Sequence, residues 1–160
     1  MAYNDSSPIR IPHNWHYRVI QVLSIIGLIL AYQLLLFHNG ELILPCKVGA
    51  WFDCSKVSGP DAIYSSIGGI PVALIGVVGY AFIFLLVWAS DWARWLENYL
   101  LEVLLGVVSL AFLFTLGLTA LEAFVIGAFC EYCVYSAIVI TLILGMLLWR
   151  LFGARLIHNR

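Results

Sequence analysis

Four cysteines are the residues of this 160-residue chain best suited to chemistry: Cys46, Cys54, Cys130 and Cys133. The last two form a C-x-x-C pair, Cys130-Glu131-Tyr132-Cys133, at the front edge of a long apolar run. Cysteines three apart at a helix start lie on one face, close enough for a disulfide to form and break as a redox couple. A helix N-terminus also favours the thiolate, which is the reactive form. The first two enclose Lys47-Val48-Gly49-Ala50-Trp51-Phe52-Asp53. A cross-link closing so short a loop stabilises a fold by only about 2 to 3 kcal/mol in the chain-entropy model, which suits a bond that breaks in turnover. Thiolate attack through mixed disulfides would carry electrons from a pair on a mobile loop to a pair fixed on a helix. The same spacings also serve an inert bridge, a loop staple, or a zinc site built from all four sulfurs.

The elements that must hold these sulfurs are membrane spans. Hydrophobic residues make up 63% of the chain and charged residues 11%, and the mean hydropathy is +1.00, whereas soluble domains are about 25% charged. One integral membrane domain over residues 1–160 is expected. The net charge of −1 and the scattered Lys and Arg leave no phosphate-binding stripe, so no nucleic-acid partner is expected.

Met1–Tyr17 is polar and reads as a cytoplasmic tail. Val19–Phe37 is long enough to cross a bilayer and lacks a small-x-small cleavage site, so it is expected to remain as the first span. The polar connection that follows contains Cys46 and Cys54, with Gly40, Pro45, Gly49 and Gly59-Pro60 as turns. The second span is expected over Ile67–Ala89, capped by Ser65-Ser66, with Pro71 in its first turn and Gly69 and Ala73 as a small-xxx-small pair. Tyr99–Leu121 is the third span, Glu122–Phe129 a short connection, and Cys130–Phe152 the fourth span.

Along the fourth span Cys133, Ala137, Thr141 and Gly145 recur every four residues, a small-residue face expected to look into the bundle. Trp88, Trp92, Trp95 and Trp149 read as interface anchors, and Trp51 and Phe52 as residues that rest the loop on the membrane surface near Cys130. Asp53 and Ser55 are placed to tune or cap the turn at Cys54, and Glu131 and Tyr132 to tune the C-x-x-C couple. Glu102 and Glu122 read as solvated or snorkelling residues at the ends of the third span.

With the N-terminus inside, Arg10, Arg18, Arg94, Arg150, Arg155 and Arg160 fall on the cytoplasmic side against Lys47 and Lys56 outside, six against two. Both cysteine pairs then lie at the extracytoplasmic face, where disulfides persist.

No haem-attachment signature is present, since Val134 follows Cys133, and no Gly-rich dinucleotide fingerprint. The electron acceptor expected by elimination is a diffusible molecule that dissolves in the bilayer, and a quinone fits. The segments Cys46-Lys47-Val48-Gly49, Cys54-Ser55-Lys56-Val57, Ser66-Ile67-Gly68-Gly69-Ile70-Pro71 and Cys130-Glu131-Tyr132-Cys133 resemble the vitamin K epoxide reductase family, in particular its bacterial quinone-linked members. The likeness covers about residues 17–152.

The resemblance implies an all-α, four-transmembrane-helix bundle around a quinone of the ubiquinone, menaquinone or vitamin K type, with a cysteine-bearing extracytoplasmic loop between the first two spans. It implies that Cys46 meets a partner protein, Cys54 exchanges with Cys130, and Cys133 touches the quinone. Ser65 and Ala137 stand at the positions where vertebrate members hold the quinone oxygens with Asn and Tyr. A fused thioredoxin-like domain, common in bacterial members, does not follow the fourth span, so the expected thiol donor is a separate thioredoxin-like protein, secreted or membrane-anchored. The expected activity is that of a thiol:quinone oxidoreductase of the plasma (inner) membrane, supporting disulfide formation. The alternatives are a vitamin K epoxide or quinone reductase using another thiol donor, and a non-catalytic scaffold held by disulfides or zinc.

Overall fold

A computed structural model describes residues 15–43, 45–46, 51–90, 92 and 94–158. The polar tail up to Asn14, the loop residues Lys47 to Ala50, and Asp91 and Arg160 lie outside the described residues. The chain forms α1 (Trp15–His38), a short α2 (Cys54–Ser58), β1 (Ser66–Ile67), β2 (Ile70–Pro71), α3 (Val72–Ser90), α4 (Arg94–Leu121), a π-helical turn (Glu122–Ile126) and α5 (Glu131–His158).

The four helices α1, α3, α4 and α5 are long and apolar enough to cross a membrane. A helix satisfies its own backbone groups, which is the requirement hydrocarbon imposes. The few hydroxyls inside them are satisfied in the same way: Ser24, Thr115, Thr119 and Thr141 each donate to the carbonyl four residues earlier, at 2.7–3.0 Å. Large apolar side chains such as Val22, Ile29, Val78, Leu113 and Leu142 point outward. A water-soluble bundle would bury that surface; a membrane bundle turns it to lipid.

Around the bundle α1 packs on α3, α3 on α4, α4 on α5 and α5 on α1. The main core is formed by Ile20, Ile83, Leu100, Leu104, Val108, Ile143 and Leu147. Tyr80 links α3 to α5, its hydroxyl donating to the Ser136 carbonyl at 2.9 Å and lying 2.9 Å from the Ser136 hydroxyl. Its ring lies where a Cβ on Gly27 would stand, so only glycine lets α1 come this close to α3. At the end bearing the termini, the Arg150 guanidinium sits 4.3 Å from the centroid of the Tyr17 ring and joins α5 to α1.

The second span begins later than hydropathy predicts. Gly68 and Gly69 have φ of 60° and 85°, and these two left-handed residues close a hairpin pairing Ser66 with Pro71 and Ile67 with Ile70. The Ser65 carbonyl accepts from the Val72 amide at 2.9 Å. Ser65 and Ser66 therefore do not cap a helix, and Gly69 belongs to the turn rather than to a helix–helix face. The third span also differs: it runs on through the π turn to Ile126, where Gly127 (φ 68°) returns its amide to the Glu122 carbonyl at 2.9 Å. On α5 the inward stripe is Val139, Ile140, Ile143 and Leu147, while Thr141 and Gly145 are exposed. The four-residue repeat of small side chains drifts off the core because 3.6 residues, not four, make a turn.

Candidate redox site

All four cysteines gather at one end of the bundle. A second apolar cluster there contains Leu34, Cys54, Val57, Ala73, Ala128 and Cys130, with Cys46 and Cys133 packed against it. Cys46 and Cys54 are joined by a disulfide with Cα atoms 6.1 Å apart. Cys130 and Cys133 are free thiols. Cys54 is 1% exposed and Cys130 0%, so sulfurs of both pairs lie in one water-poor cluster.

Three local devices hold Cys54 there. The Asp53 carboxylate accepts from the Ser55 and Lys56 amides at 3.1 and 3.3 Å, fixing the start of the turn that carries Cys54. The Asp53 amide donates to the Phe129 carbonyl at 3.1 Å, and the Phe129 amide donates to the Trp51 carbonyl at 2.8 Å. These two backbone bonds form a parallel bridge between Phe52 and Phe129, whose rings lie 6.3 Å apart. The residue after Asp53 is Cys54 and the residue after Phe129 is Cys130, so the bridge holds the two cysteine-bearing segments side by side. Trp51 is 70% exposed.

Cys130 immediately precedes α5. The Cys133 side chain, at hydrogen-bonding reach of its sulfur, holds the Cys130 thiol below the ordinary range; burial opposes this, and the Cys133 and Tyr132 amides at the helix start reinforce it. The Glu122 carboxylate works against the shift. One turn into α5, Cys133 Sγ stands 3.8 Å from the Ser58 hydroxyl and faces a cavity of about 460 Å³ inside the bundle.

The cavity walls are mostly apolar, from Leu30, Leu34, Val57, Ile75, Ile83, Leu110, Phe114 and Leu118, with a few polar groups including His38, Ser58, Tyr64, Ser65 and Tyr80. Volume and lining are those of a small-ligand site. The donor set also suits a quinone: a flat apolar ring between aliphatic walls, hydroxyls for its oxygens, and a thiol within the wall. Ser65 lines the cavity; Ala137, the other position singled out from the sequence, is not in its wall. The Ser65 hydroxyl donates to the Ala62 carbonyl at 2.6 Å.

Glu122 is the residue that sequence reasoning misplaced. It is 4% exposed rather than solvated, its Oε2 accepts from the Cys130 amide at 3.4 Å, and it lines the same cavity as Cys133. A signal existed: Thr115, Thr119 and Glu122 recur at helical spacing in an apolar span, and all three line the cavity. Tyr80 and Ser136, polar residues inside hydrophobic runs, were also missed, as was His38 at the end of α1.

A bundle of four apolar helices with a disulfide and a C-x-x-C dithiol meeting beside an apolar cavity defines a multi-pass membrane protein of the redox class. The chain matches the vitamin K epoxide reductase family over residues 18–148, and it belongs to that family. No curated protein matches it. Family membership brings redox enzyme activity, a general use of quinones and thioredoxin-like partners.

Proposed function

We propose that the protein is a membrane thiol:quinone oxidoreductase that takes electrons from a thioredoxin-like protein and supports disulfide formation on the extracytoplasmic side. The observation that carries this reading is the placing of buried Cys54 and buried Cys130 in one apolar cluster, on segments joined by the Phe52–Phe129 bridge, with Cys133 one turn further on in the cavity wall.

Each residue then has a task. A partner thiolate attacks Cys46, on the loop side of the disulfide, and the partner's second thiol releases itself as its own disulfide, leaving Cys46 and Cys54 reduced. When Cys130 and Cys133 are oxidised, the Cys54 thiolate attacks Cys130; Cys46 then attacks Cys54 and leaves a reduced Cys130–Cys133 pair. Holding the Cys130 thiol below the ordinary range makes it a good leaving thiolate in that exchange. A quinone, when bound, supplies an acceptor for two electrons and two protons. The apolar walls exclude water from that reaction, and the Ser58 hydroxyl, beside Cys133, is placed to orient an oxygen.

Adding a short-chain quinone to the fully reduced protein in detergent tests the reading. Two thiols should be lost per quinol formed, and none in Cys133→Ala. Retention of every thiol in the wild-type protein would show a scaffold instead.

A further inference from the structure

The cavity brings a carboxyl to the sulfur that faces it. Glu122 begins the π turn, and i→i+5 bonding there admits an extra residue into the last turn of α4. The chain then reverses at left-handed Gly127 and returns to Cys130, so Glu122 comes to lie under the start of α5. The Cys130 amide is on Oε2, and the carboxyl shares the cavity wall with Cys133. The thiol of Cys133 has one proton, and both the Cys130 sulfur and the Glu122 carboxyl are at hand to accept it.

Glu122 is the only carboxyl in the cavity wall among the described residues, and no Lys or Arg lines it. The other titratable groups there are His38 from α1, Tyr64 from the connection before β1, Tyr80 from α3, and Tyr132 and Cys133 from α5. A carboxyl this enclosed, with no cation in the wall, is costly unless it serves a purpose.

We propose that Glu122 is a catalytic residue, the proton carrier between the Cys133 thiol and the bound quinone. This deepens the thiol:quinone reading and rests on it. In the oxidation of the dithiol two S–H bonds break and one S–S bond forms between Cys130 and Cys133, and two electrons pass to the quinone. The Cys133 proton goes to the Glu122 carboxylate and from there to one quinone oxygen, which returns Glu122 to its starting form. The Cys130 proton is released to solvent and the second oxygen takes one proton from solvent, so two electrons and two protons balance. General acid–base assistance of this kind is worth roughly 10²- to 10⁴-fold in rate.

Glu122→Gln keeps the shape and an acceptor for the Cys130 amide but cannot carry a proton. Single-turnover oxidation of the reduced protein by a short-chain quinone should slow about 100-fold or more in this variant, with partial recovery in Glu122→Asp. Exchange between the Cys46–Cys54 and Cys130–Cys133 pairs, followed by thiol labelling without quinone, should lose far less than quinone reduction, since it does not need the carrier. A second readout uses quinone-free protein: the infrared difference between its disulfide and dithiol states should contain a shifted carboxylate band that Glu122→Gln lacks, because the thiol proton beside the carboxylate is gone in the disulfide. A wild-type rate in Glu122→Gln, or an equal loss in disulfide exchange and quinone reduction, would overturn the proposal. Inactivity of the wild-type protein toward quinone would instead overturn the functional reading beneath it.

Discussion

The Asp53 amide donates to the Phe129 carbonyl at 3.1 Å, so the residues before Cys54 and before Cys130 are bonded to each other across the top of the bundle. Together with the return bond from Phe129 to Trp51 at 2.8 Å, this contact makes the relative placement of two distant cysteines a property of the backbone.

Removing one of those bonds should slow transfer. Phe129→Pro deletes the amide that Trp51 accepts, and a net loss of about 1 kcal/mol corresponds to about fivefold in the aligned population. Electron transfer from the loop pair to the helix pair should fall by about that factor, while single-turnover oxidation of Cys130 and Cys133 by quinone is unchanged. Rapid-quench thiol labelling measures both, and transfer as fast as in the wild-type protein would remove the bridge from the account.

The order of the cysteines predicts a split between variants. Cys133→Ala should abolish quinone reduction, whereas Cys46→Ala should block turnover with a thioredoxin-like donor and leave one round of Cys130–Cys133 oxidation intact. Equal loss of the single-turnover step in both variants would contradict the order.

The low position of Cys130 fixes the sign of a pH effect. A thiol held below its ordinary range is already thiolate at a pH where a free cysteine is protonated, so the first phase of thiolate absorbance should appear below the usual cysteine range. Because the Cys133 side chain is the largest cause, Cys133→Ala should move that phase to higher pH. An unmoved midpoint in this variant would mean that the helix start alone sets it.

Close approach of α1 and α3 predicts a stability effect with no chemistry attached. A methyl at Gly27 meets the Tyr80 ring, which Ser136 holds in place. Gly27→Ala should destabilise the bundle by about 1 to 3 kcal/mol, read as a lower thermal midpoint in detergent. Tyr80→Phe should be milder, about 1 to 2 kcal/mol, and the Gly27→Ala, Tyr80→Ala double variant should recover part of the loss from Gly27→Ala.

The four spans and the grouping of the cysteine pairs were legible because hydropathy over about 20 residues is a strong signal, and four crossings put both pairs at one end. The Asp53 cap was legible too, since an acidic residue just before a turn accepts from the amides that follow. The hairpin at Gly68-Gly69 was written in the sequence, yet the apolar run after it masked a two-residue turn. Glu122 was hidden for a different reason: a carboxylate near the end of a span is ordinarily hydrated, and only the π turn and the bend at Gly127 bring this one inward. The Phe52–Phe129 bridge joins segments 77 residues apart, and no local pattern announces such a pairing.

Central to the account is direct exchange between Cys54 and Cys130. The Cys46→Ala, Cys133→Ala double variant leaves those two sulfurs without their usual partners. Mild oxidation in detergent or bilayer, followed by peptide mapping, should find one intramolecular Cys54–Cys130 disulfide in most of the protein. Finding both thiols still free, or joined only between molecules, would contradict it.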